Sequence, residues 1–407
     1  MYLLFAWRYF KAKKSTNAIN IIAWTSVAAI VVGTTALILV LGVFNGFEGL
    51  VKSLYGSFYT DWKISPQTGK TIQITPEQFS KLQQLKLIKG YSPIVEERVL
   101  LKSGDNQTMV NIKGVDSSYE HITGISGHMA NGTYNIGTAE NPQIILGVGV
   151  EDALGIYAGK ELFPLSIYLP KPSAGKLIDL ASDIAVDEIN VSSSFMIQQD
   201  FDNKYAITHI SFLKNKMGLG ENSYSSLELA SSGEARASDI RKELAGIFSG
   251  NYIIQDRYEQ NRSLYAIMAT ERWIVYGVLS LILLVAAFNM VGALSMLVLE
   301  KQKDISIIQS FGGDQQFIKK IFLSEGVLLA LIGGGVGMLL ASALAWIQIR
   351  FHLIPLQGGS FLIDYYPVQL RIADFLLVGA TVLIIAVLAS WIPSKKAASN
   401  KFNLRAE

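Results

Sequence analysis

The sequence predicts an α-helical membrane protein with four transmembrane helices and an α+β extracytoplasmic domain of two subdomains inserted between helices 1 and 2. Three observations carry that prediction. Half of the 407 residues are apolar and only 17% are charged, giving a mean hydropathy of +0.33, too hydrophobic for a soluble chain of this length. Four runs free of Asp, Glu, Lys and Arg are long enough to cross a bilayer. Between the first and second runs, continuous apolar sequence gives way to short alternating segments set off by turn residues.

A helix rising about 1.5 Å per residue needs roughly 20 apolar residues to span about 30 Å of hydrocarbon. The runs are Ser15–Phe47, with its apolar centre at Ile21–Phe44, then Trp273–Leu299, Gly326–Ile349 and Phe375–Ser394, the last closed by Pro393 and the Lys395-Lys396 pair. The predicted membrane segments are 19–47, 272–299, 321–350 and 373–393. These runs hold no ionisable group, which speaks against proton relays and ion-coupled transport. Asn20 and Asn289 are the strongest polar residues in or near them, and interhelical hydrogen bonding is their default role.

Orientation follows from the basic residues, which resist translocation. Arg8, Lys11, Lys13 and Lys14 precede the first span; Lys301, Lys303, Lys319 and Lys320 lie in the 300–320 loop; Lys395, Lys396, Lys401 and Arg405 follow the fourth span in a 394–407 tail. The 351–372 connection is flanked by Arg350 and Arg371 alone. Both termini are therefore expected inside and residues 48–271 outside. From Glu48 to Arg272 the chain carries 21 basic against 26 acidic side chains, a net charge of minus five. The first span has no small-residue cleavage site and exceeds a signal-peptide core, so an uncleaved anchor is expected. Within residues 1–18, Leu3, Leu4, Trp7 and Phe10 alternate with Arg8 and Lys11, the pattern of a short helix in the cytoplasmic interface.

In the outer domain a strand at Asp61–Ser65 leads through the Thr75-Pro76 helix start into a helix ending near Leu87. Tyr91–Lys102 and Thr108–Gly114 form a hairpin across Ser103-Gly104-Asp105-Asn106. Gln143–Leu146 is a strand, Gly149–Leu154 a helix and Leu165–Leu169 a strand, after which Pro170, Pro172 and Gly175 open an irregular stretch. Ser192–Gln198, Tyr205–Phe212 and Ser225–Leu229 have strand periodicity, Ser238–Phe248 is an amphipathic helix and Tyr252–Gln255 a last strand. From Asp256 a helix is expected to run into the second span. A split subdomain of 48–113 plus 214–270, with 114–213 inserted, is the expected division.

The chemistry of common enzymes is missing. No G-x-x-x-x-G-K-[ST] phosphate loop occurs: Gly175-Lys176 is followed by Leu177, and Pro170 stands five positions ahead of Gly175. Gly333, Gly334, Gly335 and Gly337 lie inside the third span, where close helix packing accounts for them. His121, His128, His209 and His352 show no paired spacing for a metal. With no cysteine at all, disulfides, thiolate zinc sites, iron–sulfur clusters and thiol nucleophiles are excluded, and an oxidising compartment fits.

Two sequence stretches are more specific. Gly42-Val43-Phe44-Asn45-Gly46-Phe47-Glu48 follows the first span, and Ala286-Ala287-Phe288-Asn289 precedes Leu299-Glu300-Lys301-Gln302-Lys303-Asp304-Ile305-Ser306-Ile307-Ile308-Gln309-Ser310-Phe311-Gly312-Gly313. The loop places Ile305, Ile307 and Ile308 among polar residues in a short amphipathic element that calls for a groove on a partner, and Gly312-Gly313 lets the chain turn back. With the order of spans and the outer domain, these stretches resemble the lipoprotein-releasing permeases, the LolC/LolE type, of the FtsX-like (type VII) ABC permease superfamily. Trp7-Arg8-Tyr9, Ile145-Leu146-Gly147 and Ala153-Leu154-Gly155 also match its landmarks.

That resemblance implies a non-catalytic permease subunit, paired with a second permease that is identical or homologous and with a dimer of cytoplasmic ABC ATPase subunits. It implies no cofactor on this chain, ATP and Mg being held by the ATPase. The complex would lift acylated lipoproteins from the outer leaflet of the inner membrane and pass them to a periplasmic chaperone. ATPase coupling would fall to Glu300, Lys301, Asp304, Ile305, Ile307, Ile308 and Gly312, and the lipid chains to Val40, Phe44, Asn45, Phe47, Ile274 and Met290. Pro170, Lys171 and Pro172 stand where the family's chaperone-binding hook occurs, although their sequence departs from it. A mechanotransmitting FtsX- or MacB-like permease, driving an envelope hydrolase or peptide efflux, is the alternative. Nucleic acid has no place in either reading.

Overall fold

The computed structural model describes residues 17–157, 165–170, 184–233, 236–356 and 365–399. The expected interfacial helix ahead of Asn17, with its Trp7-Arg8-Tyr9 landmark, lies outside them, as do Lys171 and Pro172. The described chain separates into two compact units, one of helices (to Leu50, with Ala266–Leu356 and from Tyr365) and one formed mainly by Val51–Tyr265.

Among the described residues, four helices are long and apolar enough to cross a membrane. The first span is part of Asn17–Phe58, the second of Arg262–Glu300, the third of Gln315–Phe351 and the fourth of Ile372–Ser399. All four share one core, including Leu37, Leu41, Met290, Leu294, Phe322, Leu329, Val378 and Val382. Small residues on the third span let backbones approach: a Cβ on Gly333 would meet Ile30 at 2.9 Å, and one on Gly337 would meet Thr34 at 2.8 Å. Thr35 Oγ1 donates across the same seam to the Gly337 carbonyl at 3.0 Å, replacing a water that lipid cannot supply.

Two expectations are corrected here. The fourth helix does not stop at Pro393 but continues to Ser399; a proline inside a packed span is tolerated where neighbouring groups stand in for the lost bond. The helices also bury ionisable groups, Glu325 on the third and Asp374 on the fourth. A search for charge-free runs ends at the first charge, even one that packing has taken inside.

The other unit is built on a ten-stranded sheet. In chain order its strands are β1 (Trp62–Pro66), β3 (Ile88–Ser103), β4 (Asn106–Val115), β5 (Met129–Asn131), β6 (Gln143–Gly147), β7 (Leu165–Pro170), β8 (Ile184–Phe195), β9 (Tyr205–His209), β11 (Ser226–Ser231) and β12 (Tyr252–Asp256), with β2 (Ile72–Gln73) and β10 (Ser223–Tyr224) forming a separate pair. The order β12-β1-β11-β3 makes one layer. Helices Pro76–Gln84 and Ala237–Ile247 cover it through Leu82, Ile240 and Leu244, which pack on Trp62, Ile64, Leu227 and Leu229. The first of these helices starts in a capping box between Thr75 and Gln78.

The remaining strands close on themselves. β3 pairs with β4, β4 with β9, β9 with β6, β6 with β8, β8 with β7, and β7 returns to β3. This closed ring has its own core of Val99, Leu101, Ile112, Ile144, Leu146, Ile167 and Leu213. β3 serves both layers, pairing with β11 up to Ile94 and with β4 from Val95 onward. The expected subdomain limit between 113 and 114 therefore falls inside β4. The inside–outside alternation along β3 breaks at the consecutive buried residues Ile94 and Val95, just after Pro93, where the strand changes partner without a turn.

Two local readings are corrected by the structure. Tyr205–Phe212 is not one strand: β9 ends at His209 and Ile210–Met217 is helical, with the His209 side chain accepting from the Ser211 amide. A run this short fits either period. The helix expected from Asp256 is broken at Asn261, between Arg257–Gln260 and the second span.

Lys113 on β4 and Glu228 on β11 form an ion pair at 2.8 Å with side chains only 2% and 1% exposed. Lys113 also donates to the Tyr119 hydroxyl at 3.0 Å and lies over the rings of Phe58 and Tyr119. Burial by itself disfavours its ammonium, but the Glu228 carboxylate reverses this and holds the Lys113 pKa well above the ordinary lysine value. Beside the pair is a cavity of about 140 Å³ lined by Lys63, Glu96, Tyr59, Tyr205, Gln255 and Gln260 among others.

Asp202 offers a test by pH. Burial raises its pKa to about 6, even though the Ile197 amide donates to it. A carboxyl that prefers its proton when folded contributes stability fully present below the unfolded value, and loses it as pH rises through about 6. Asp202→Asn should abolish that loss, leaving pH 4 stability nearly unchanged and raising pH 7 stability by about 1–2 kcal/mol. Unfolding curves of the variant and parent at the two pH values check this.

Candidate functional site

The first motif builds a collar at the end of the helical bundle where the first span leaves and the second enters. Every residue of Asn45-Gly46-Phe47-Glu48 engages the segment that leads into the fourth span. Asn45 Nδ2 donates to Asp374 Oδ2 at 2.5 Å and to the Gln369 carbonyl at 3.2 Å. A Cβ at Gly46 would overlap the Pro367 carbonyl group. Phe47 meets the Tyr366 ring edge-on at 5.9 Å, and Glu48 accepts from Arg371 Nη1 at 3.1 Å. One turn earlier the Gly42 carbonyl accepts from the Gln369 amide at 2.9 Å.

Asp374 is the centre of this collar. Its other oxygen accepts from Arg272 Nη2 on the second span at 2.6 Å. It lies in the first turn of its helix, where the N-terminal dipole favours an anion. Sequence reasoning missed Arg272, Asp374 and the pairing of Arg371 with Glu48, because each looked like an ordinary charge flanking a span. The available signal was that a charge of each sign lay beside the predicted outer ends.

The expected lipid-contacting residues divide. Asn45 and Met290 are fully buried within the bundle, and Val40, Phe44 and Phe47 are half-buried. Only Ile274 is exposed, at 59%. It belongs to a stripe on the second span that the motif did not point to: Trp273, Val278, Leu281, Ile282, Val285 and Phe288. Asn45 is engaged in hydrogen bonds and Met290 in core packing, so neither presents a surface to a lipid chain in this arrangement.

The second motif forms a separate helix, Gln302–Ser310, between the second and third spans. Lys301 Nζ lies 3.4 Å from Asp304 Oδ2, and Gly312 takes a left-handed turn at φ +87°. Here the expected need for a partner groove is corrected in part. Ile305 is buried and Ile308 half-buried against the chain's own core, beside Leu297, Val298, Ile318 and Phe322. At about 100° per residue the opposite side carries Lys303 and Ile307 and leads to Phe311. Ile307 is exposed and Phe311 is 88% exposed. Phe311, absent from the expected coupling set, is the largest apolar group this loop offers to an outside partner. Glu300 sits at the end of the second helix, and Pro170, the described member of the expected hook, ends β7. Among the described residues no cluster of His, Asp and Glu could hold a metal ion.

A bundle joined to a β-rich outer domain, with an amphipathic loop helix and no nucleotide loop, is the architecture of a permease subunit. Residues 276–402 match the FtsX-like permease C-terminal domain, and residues 23–169 match the MacB-like periplasmic core domain. The chain thus carries a match to each of these two domain models, in a membrane protein with a periplasmic domain.

The individual relatives narrow the class. The chain is 27% identical to the lipoprotein-releasing system transmembrane protein LolC of Neisseria meningitidis, over 98% of both chains. It is 25% identical to the corresponding LolE of Haemophilus influenzae, over 97% of this chain and 96% of that one. Among solved structures, the periplasmic region of MacB from Actinobacillus actinomycetemcomitans aligns with 53% of this chain and 98% of its own, at 12% identity and a TM-score of 0.36. The resemblance first carried by two motifs holds along nearly the whole sequence.

Proposed function

We propose that this chain is the permease subunit of an ATP-driven complex that extracts lipoproteins from the outer leaflet of the inner membrane for hand-over to a periplasmic chaperone. The observation that carries this reading is the near full-length match to permeases named for lipoprotein release. In this reading both termini are cytoplasmic, and the 48–271 domain, with its two subdomains, is inserted between the first two spans on the periplasmic side. A second permease subunit, identical or homologous, and a dimer of separate ABC ATPase subunits holding ATP and Mg complete the assembly.

Physical argument supports the division of labour. Removing an acyl chain from the bilayer costs about 0.8 kcal/mol per CH₂, so a triacylated cargo will not leave unaided. The exposed stripe from Trp273 to Phe288 is where lipid chains can lie against the second span, with Val40, Phe44 and Phe47 beside it once the collar opens. The ATPase docks on the exposed side of the loop helix, on Ile307 and Phe311, while Glu300, Lys301, Asp304, Ile305, Ile308 and Gly312 hold that helix in place. Pro170 with Lys171 and Pro172 is the proposed chaperone contact.

The alternative, a mechanotransmitting permease, draws on the match to a MacB-like core. Cargo separates the two. Purification from native membranes is expected to yield an ATPase and an acylated protein with the wild-type chain. In Ile307→Asp the ATPase should be lost at least tenfold with the thermal midpoint unchanged, since the residue is exposed. Wild-type complex without acylated protein, together with normal lipoprotein sorting on depletion, would refute the releasing role.

A further inference from the structure

The second span is attached very differently along its two halves. Its inner half is embedded: Leu283, Ala287, Met290, Ala293, Leu294, Leu297 and Val298 are all buried. From Ala266 to Ile282 no residue is buried. What ties that outer half to the bundle is mainly polar, the Arg272 bond to Asp374 and a hydrogen bond between the Tyr276 and Thr381 hydroxyls on the fourth span. Tyr276 and Leu279 add partial apolar contact.

We propose that Asp374 is the positioning residue that holds the outer half of the second span shut against the first and fourth spans, and that its ion pair with Arg272 is the bond broken when that half swings out. Asp374 is suited to this because it serves two helices at once, one oxygen toward Asn45 on the first span and the other toward Arg272 on the second. Its side chain is 4% exposed and that of Arg272 30%. The carboxylate is therefore fixed in the bundle, and the guanidinium is the partner that can leave for water or headgroups. When it leaves, Asn45 remains as a donor, so the buried charge is weakened in its support but not abandoned, and the open state stays reachable. The pivot is the packed stretch below Ile282. The part of the exposed apolar stripe from Trp273 to Ile282 lies on the moving half and would be carried with it, while Val285 and Phe288 stay with the pivot.

The inference uses the permease reading for its purpose and the described geometry for its substance. It can be tested without cargo because the chain has no cysteine of its own. Val278→Cys and Ile384→Cys place spin labels on two exposed positions, one on each helix, in the full chain reconstituted in liposomes. Double electron–electron resonance should give a single narrow distance for the parent. Adding Arg272→Met should raise the population of a longer distance roughly tenfold, the response to losing one latch bond. Arg272→Lys, which keeps the charge, should restore most of the short distance. Superimposable traces for all three would overturn the latch. A failed lipoprotein assay with the expected distances would overturn the functional reading alone.

Discussion

Replacing Lys113 by methionine is expected to cost the β-rich unit about 3–5 kcal/mol, the range for removing one partner of a buried ion pair. The loss comes less from the missing attraction than from Glu228, which is left charged where its side chain is 1% exposed. Tyr119 loses its donor as well, and two rings lose the cation above them. The double variant Lys113→Met with Glu228→Leu should recover most of the loss, because the stranded charge goes too. Thermal unfolding of the purified full chain, read for the two single variants and the double variant, forms the cycle. A Lys113→Met midpoint equal to the parent's would show that the pair contributes nothing. Since Lys113 is on a ring strand and Glu228 on the covered layer, the cycle measures coupling between the two cores of one domain.

Gly46→Ala should undock the segment leading into the fourth span by about 2–3 kcal/mol. Alanine normally favours a helix over glycine by about 1 kcal/mol; here the added methyl meets a carbonyl instead. That carbonyl belongs to Pro367 and is backbone, so no side chain can rotate out of the way. The first helix cannot easily retreat, because the Gly42 carbonyl and Asn45 hold the same segment. Gly49→Ala is the matched control: its methyl would meet only the end of the Gln369 side chain at 3.4 Å, so it should be neutral or slightly stabilising. Hydrogen exchange at the Gln369 amide separates the two, rising about 30- to 150-fold in Gly46→Ala if the docking energy falls as stated.

The four spans were legible because about twenty apolar residues in a row rarely occur outside a bilayer-crossing helix, and the turn chemistry around Thr75 and Ser103–Asn106 fixed nearby elements equally well. The ring closure was not legible. Nothing in the composition of β7 tells that it returns to β3, because pairing between distant strands is a property of the assembled core. The collar illustrates a different gap. Asn45, Gly46, Phe47 and Glu48 could be singled out from sequence, yet their partners Asp374, Tyr366, Pro367 and Arg371 lie more than three hundred residues away and form no pattern of their own. For the loop helix, the sequence grouped Ile305, Ile307 and Ile308 for one partner groove; that the bundle claims Ile305 and Ile308 depends on Leu297 and Phe322, which no local pattern links to them.

The closed ring also constrains how other molecules can engage this domain. In the ten-stranded sheet the hydrogen-bonding path terminates at β12 and β5, five and three residues long, and short terminal strands are poor templates for an incoming chain. Among the described residues, an extended segment arriving at this sheet thus finds only short strands to pair with. Contacts made through side chains, rather than through added strands, would let a binding preference change by point substitution while the scaffold stays the same.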